Sequence, residues 1–197
     1  MLSSPRTSAG VTNLLLHFSL LIYPRHFIIA VSPVLLKTVP RKKFDGRLHW
    51  LPIIDGELPS EAMIGGFQNE PIYIARAEHI HSVNPGKFVP SAGRAFIPWG
   101  GREHSKSRFE ILCGYNAMWV KTRNNQIPHN AFIGGSEVMN RPVYISRAKV
   151  NGNLICGKAF AHHAYLPYKG KEIKIDSYEI LVLPDDEIPQ ALPFCDK

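Results

Sequence analysis

The segment from Trp50 to Leu112 recurs, with two compensating changes of loop length, as Trp119 to Leu181. Aligned, the two copies share about three residues in ten, well above what unrelated segments of ordinary composition reach. The matches are landmarks in a fixed order. Trp50 pairs with Trp119, Pro59 with Pro128, Gly65-Gly66 with Gly134-Gly135 and Pro71 with Pro142. Tyr73, Arg76 and Ala77 return as Tyr144, Arg147 and Ala148, Gly86-Lys87 as Gly157-Lys158, and Glu110-Ile111-Leu112 as Glu179-Ile180-Leu181. A unit present only twice cannot form a solenoid, which needs about three or more repeats. A closed pair related by an approximate two-fold axis is the expected product.

Within each copy the apolar period is that of strands. Pro71 to Ala77 and Pro142 to Ala148 are rich in β-branched and aromatic residues, and each opens on a proline, which a strand tolerates at its first position. Residues 62–64, 94–97 and 109–112 read the same way, as do 131–133, 164–166 and 178–182, with turn residues between them. No helical period persists for three turns. The expected fold is all-β: two tandem antiparallel-sheet repeats related by a pseudo-two-fold axis. The chain divides into an N-terminal extension (1–46), a first repeat (47–115), a second repeat (116–183) and a C-terminal tail (184–197).

The net charge of +7 suggests a nucleic-acid partner until it is located. Residues 1–48 hold seven Arg or Lys against Asp45 alone, so the repeated body is close to neutral and implies no polyanionic partner. The extension carries two apolar runs, Leu14 to Tyr23 and Phe27 to Leu36, split by Pro24-Arg25-His26. It reads as a disordered extension or a gene-model artefact, with a secretory leader and a membrane anchor as the other readings. A central Arg25 is costly in a bilayer, and the small-residue cleavage motif is weak. The expected location is cytoplasmic, or secreted if the extension is a leader. Cys113, Cys156 and Cys195 are odd in number and lack paired spacing, which fits reduced thiols better than a disulfide framework or a zinc site.

The order Trp, Pro-x-x-Ala-x-x-Gly-Gly, Pro-x-Tyr-x-x-Arg-Ala, Gly-Lys, Pro-aromatic-x-Gly-x-Glu, Glu-Ile-Leu resembles the DM-9 repeat, which occurs in tandem in natterin-like proteins and small invertebrate lectins. The resemblance runs through nearly all of both copies. It implies a two-lobed all-β fold and binding of mannose-type glycans in innate defence. It also implies a sugar site formed by an acidic residue just past the double glycine together with the lysine of the Gly-Lys pair. Those positions are Glu137 and Lys158 in the second repeat, and Gln68 and Lys87 in the first. The loop between double glycine and strand proline has four residues in the first copy (67–70) and six in the second (136–141), so the first site is expected to lose its charge and its geometry.

A carboxylate accepts from two hydroxyls and an ammonium supplies three donors, so Glu137 with Lys158 can grip the vicinal hydroxyls of a hexose. The competing reading of that pair is a surface salt bridge. Arg76 and Arg147 are expected to close structural ion pairs with Glu110 and Glu179, and Trp50 and Trp119 to serve as core or interface anchors. Trp99, in a glycine-rich turn, is a candidate sugar-stacking platform. His79 with His81, and His162 with His163, recur in neither partner copy and lack a completing ligand set, so no metal or cofactor is expected. No nucleophile elbow, catalytic cysteine signature or phosphate loop is present, so no enzymatic activity is expected. The implied partners are mannose-type glycans, with a homodimer left open and no membrane insertion by the repeat body. The alternative is an intracellular structural or interaction protein that kept the fold without a working sugar site.

Overall fold

A computed structural model of the chain describes residues 46–53, 57–123 and 126–185. The readings of the N-terminal extension, of Cys195 and of most of the C-terminal tail fall outside the described residues. The first repeat supplies seven strands: β1 (His49–Pro52), β2 (Ile64–Phe67), β3 (Pro71–His79), β4 (Ser82–Val89), β5 (Arg94–Trp99), β6 (Arg102–Lys106) and β7 (Glu110–Cys113). The second supplies their equivalents: β8 (Met118–Arg123), β9 (Ile133–Ser136), β10 (Pro142–Val150), β11 (Asn153–Phe160), β12 (His163–Tyr168), β13 (Lys171–Ile175) and β14 (Ser177–Val182). All pairings are antiparallel. The all-β fold with two symmetric repeats is as the sequence implied.

Three links join the copies: β2 to β11 at Phe67↔Leu154, β9 to β4 at Ser136↔Val83, and β6 to β13 at Arg102↔Lys171. The first two are the same contact with the copies exchanged. Following hydrogen bonds from β3 through β2, β11, β12, β13, β6, β5 and β4 returns to β3, so the sheet closes on itself as a barrel. The core is shared accordingly. Ile72, Ile74 and Leu112 of the first repeat pack with Ile145, Ile155, Leu166 and Ile180 of the second in one buried cluster.

The double glycines make these links possible. An added Cβ on Gly66 would lie 2.0 Å from the Leu154 carbonyl oxygen, and one on Gly135 would lie 2.0 Å from that of Val83. Each glycine therefore admits the backbone of the opposite repeat at a distance no side chain allows.

Strands β4 and β11 were not legible from the period, because Pro85-Gly86 and Gly157 resemble turn punctuation. Pro85 sits where β4 changes neighbour, from β9 at Val83 to β5 at Lys87, so its missing N–H leaves no ladder bond unmade. The segments expected at 62–64 and 131–133 lie mostly before the true strands. Ala62 and Ala131 form only isolated bridges, to Cys113 and Val182, and the strands begin at Ile64 and Ile133. His79 ends β3, and His81 lies with Ile80 in the tight turn that follows, both with positive φ (56° and 44°).

Arg76 Nε donates to Glu110 Oε2 and Arg147 Nε to Glu179 Oε2, each at 2.6 Å, and the two guanidinium carbons lie 4.3 and 4.2 Å from the ring centroids of Trp50 and Trp119. Each conserved-order tryptophan thus covers the arginine of its own repeat while packing on the core. Both expected ion pairs are formed, and they are partly buried, with the arginine side chains 24% and 21% exposed.

Two stability outcomes follow. Gly66→Ala or Gly135→Ala must push apart two backbones, an overpacking cost of about 3 kcal/mol, or roughly 6–12 °C in melting temperature for a chain of this size. An unchanged melting curve would contradict the close approach. Arg147→Ala, which loses a part-screened pair and a cation–π contact, is expected to cost about 1–3 kcal/mol by urea titration.

Candidate functional site

Lys87 and Lys158 occupy equivalent places on β4 and β11, each facing an aromatic residue across the ladder, Phe96 on β5 and Tyr165 on β12. Both are buried, at 2% and 4% exposure. A buried ammonium must be compensated, and each is, by residues that the fold draws from distant parts of the chain.

In the second repeat, Lys158 Nζ donates to Glu137 Oε1 and to Asn84 Oδ1, both at 2.8 Å, and lies 4.0 Å from Glu172 Oε1. Asn84 comes from the first repeat, and its counterpart in the second is the apolar Ile155. In the first repeat, Lys87 Nζ donates to Gln68 Oε1 at 2.8 Å and pairs with Glu103 Oε1 at 3.1 Å. Sequence reasoning thus paired the right residues in each copy, but the expected loss of geometry in the first is corrected. Gln68 and Glu137 approach their lysines equally closely. In both copies the residue's own N–H closes the loop, Gln68 onto the Glu70 carbonyl and Glu137 onto the Arg141 carbonyl, each at 2.9 Å. The two extra residues of the second loop are taken up beyond that position in the Val138–Asn140 turn, where Met139 and Asn140 adopt left-handed φ values of 65° and 56°.

Glu103 and Glu172 were missed as site residues, although the Pro-aromatic-x-Gly-x-Glu landmark contains both. They also tie the repeats together. Gly170 N–H donates to Glu103 Oε2 and Gly101 N–H to Glu172 Oε2, each at 2.6 Å. Each carboxylate therefore holds its own repeat's lysine side on one oxygen and the opposite repeat's glycine turn on the other.

The two sites differ in what they offer. An ammonium cannot accept a hydrogen bond, so Gln68 must present Oε1 to Lys87 and turn its NH2 outward. The first site thus offers donors. Glu137 uses one oxygen on Lys158 and keeps Oε2 as an acceptor beside the ammonium's remaining N–H. Burial, followed by the carboxylates of Glu172 and Glu137, holds the Tyr165 phenol above its ordinary pKa, a sign of doubled negative charge at the second site.

Elsewhere, Trp99 is engaged with histidines rather than open for stacking. Its ring meets His79 edge-on at 5.1 Å, and its carbonyl lies 2.9 Å from His104 Nε2. Its counterpart Tyr168 is buried, with its ring 5.7 Å from Lys87 Nζ. Among the described residues, no group of three or more His, Cys, Asp or Glu side chains is placed to hold a metal ion. Cys113 and Cys156 are buried free thiols, and burial pushes them up to about 11 and about 12, far from reactive. A cleft of about 980 Å³ lies apart from both lysines, under Arg76 and Glu110.

A closed β-barrel made from two copies of one unit, each with a buried lysine held by an amide or carboxylate after a double glycine, defines a tandem-repeat class. Residues 67–175, more than half of the chain, match the DM9 repeat model, and the chain belongs to the DM9 repeat family, which has lectin-like members. It is similar to Natterin-4 of Thalassophryne nattereri, with 26% identity over 147 residues covering 70% of this chain. The chain spans about a third of that relative, 35% of its length. Its fold is similar to the crystal structure of the nematode sperm cell motility protein MFP2B, with a TM-score of 0.54, 16% identity, and coverage of 76% of this chain and 51% of that one.

Lys87 has Glu103 as its one carboxylate within the described residues, whereas Lys158 has Glu137 besides Glu172. Glu103→Ala is therefore expected to cost about 3–5 kcal/mol by leaving a buried charge uncompensated. Glu172→Ala, which loses the equivalent glycine contact, should cost less. Equal shifts of the urea midpoint would show that the glycine contact, not the lysine, sets the cost.

Proposed function

We infer that the protein is a non-catalytic carbohydrate-binding recognition protein whose second site takes a mannose-type hexose. The observation that carries this reading is the Glu137–Lys158 pair at 2.8 Å, in which the carboxylate meets the ammonium through Oε1 alone. Vicinal hydroxyls each donate and accept, so an acceptor and a donor side by side match them, and the charge of both groups strengthens the bonds. Lys158 is fixed by Asn84 and Glu137, so little side-chain freedom is lost on binding. The first site, where Gln68 replaces the carboxylate by an amide whose oxygen accepts from Lys87, is a poorer match for a hydroxyl pair. The role that fits is recognition of microbial mannose-rich glycans in defence, by a monomer or a homodimer. The free, buried Cys113 and Cys156 are in keeping with a reducing, cytoplasmic setting.

A second reading draws on the burial of Lys158, whose side chain is 5% exposed. On that reading the pair is a structural bond, and the protein is an interaction module without a sugar site.

Titration of the full chain with mannose oligosaccharides separates the two. Glu137→Gln gives the second site the amide of the first, and loss of a charge-assisted bond should weaken binding roughly ten- to a hundredfold. Gln68→Ala should change it little, and Gln68→Glu should raise the stoichiometry from one site towards two. Binding that ignores Glu137→Gln, or no binding by the unmutated protein, would favour the interaction module.

A further inference from the structure

The cleft of about 980 Å³ is lined by four cations, Arg76, Arg94, Lys106 and Arg108, against two carboxylates, Glu78 and Glu110. One carboxylate is already committed, since Glu110 holds Arg76 through Nε. Arg94 reaches a hydroxyl, its Nε donating to Ser105 Oγ at 2.5 Å. Lys106 donates to the Glu78 carbonyl oxygen at 2.7 Å and to His79 Nδ1 at 3.0 Å, both neutral acceptors. Among the described residues, Arg94, Lys106 and Arg108 close no ion pair with a carboxylate. The cleft therefore gathers more guanidinium and ammonium groups than the two carboxylates that line it can neutralise.

The duplication supplies an internal control. In the second repeat the positions of Arg94, Lys106 and Arg108 are His163, Ile175 and Ser177, and Glu78 is Lys149. His163 is bonded to Asp176 at 2.8 Å. The fold needs no cation at the Lys106 and Arg108 places, since the equivalent repeat forms the same strands with Ile175 and Ser177 there. Burial, opposed by Glu78, holds the Lys106 ammonium below its ordinary pKa, so this cation is partly dehydrated before any ligand arrives.

We propose that this cleft is a second ligand site, distinct from the lysine pockets, that binds an acidic oligosaccharide bearing sulfate or phosphate esters. Guanidinium forks match the oxygens of a tetrahedral oxyanion bidentately, and Lys106 adds a point charge. The hydroxyls of Ser107 and Ser136 line the same cleft and supply neutral hydrogen bonds for sugar hydroxyls between the esters. The volume is that of a site for a few sugar rings. A nucleic acid is the poorer fit, because it would need an extended basic track and the rest of the body is nearly neutral.

The test is a titration of the full chain with a sulfated tetrasaccharide, its phosphorylated counterpart and the unmodified tetrasaccharide, at two salt concentrations. Binding of an esterified form, weakened by salt and lost for the unmodified sugar, is expected. The preferred ester identifies the ligand's source. Arg94→Gln and Lys106→Gln should each weaken it roughly tenfold or more. Arg102→Gln, an exposed charge outside the cleft, should leave it unchanged. Circular dichroism confirms that each variant is folded. Equal losses for Arg102→Gln and Arg94→Gln, equal affinity for the unmodified sugar, tighter binding of a single-stranded oligonucleotide, or no binding of either ester would each overturn the proposal.

Discussion

The approach of each repeat's backbone to the other's double glycine is the contact on which the rest of the structure depends. With Leu154 O and Val83 O lying 2.0 Å from where a Cβ would stand on Gly66 and Gly135, β2 can pair with β11 and β9 with β4. Those exchanges close the sheet and bring apolar residues of both repeats into one shared cluster, beside a second cluster of first-repeat residues. They also set the chemistry. The residue two positions after each crossing glycine is Gln68 or Glu137, and closure brings it over a lysine on the next hairpin.

Burying a lysine in a barrel wall is costly unless its charge is compensated, and both copies meet that demand by different means. The first uses one carboxylate and one amide. The second uses a carboxylate, a more distant second carboxylate, and an asparagine borrowed from the first repeat. Since Asn84 has only Ile155 as its counterpart, the borrowing runs in one direction. A symmetric scaffold thus carries two pockets of different charge. The basic cleft, lined mainly by the first repeat, extends the same divergence, with cations at positions that the second repeat fills with His163, Ile175 and Ser177.

Much of this was legible in the sequence. Duplication implied two-fold closure, the alternation in Pro71 to Ala77 and its copy gave the central strands, and the recurrence of arginine with glutamate gave the Arg76–Glu110 and Arg147–Glu179 bonds. Strands β4 and β11 were hidden because Pro85 and the glycines before the lysines carry the signature of turns. Their place in a strand depends on which neighbour pairs on each side, and that is a property of the assembled sheet.

The sequence by itself determined that two equivalent units exist, that they are built of strands, and which lysine belongs with which residue past the double glycine. The tertiary structure alone decided that a loop two residues shorter still delivers Gln68 to its lysine, because the surplus in the longer loop bulges outward after the hydrogen bond that fixes Glu137. It alone brought in Glu103, Glu172 and Asn84, and it alone gathered Arg94, Lys106 and Arg108 into one cleft. Local pattern records the period of a strand and the identity of its landmarks. Which side chains converge is set by the closure of the barrel, where residues about 70 positions apart, such as Asn84 and Lys158, meet across a register that no single segment encodes.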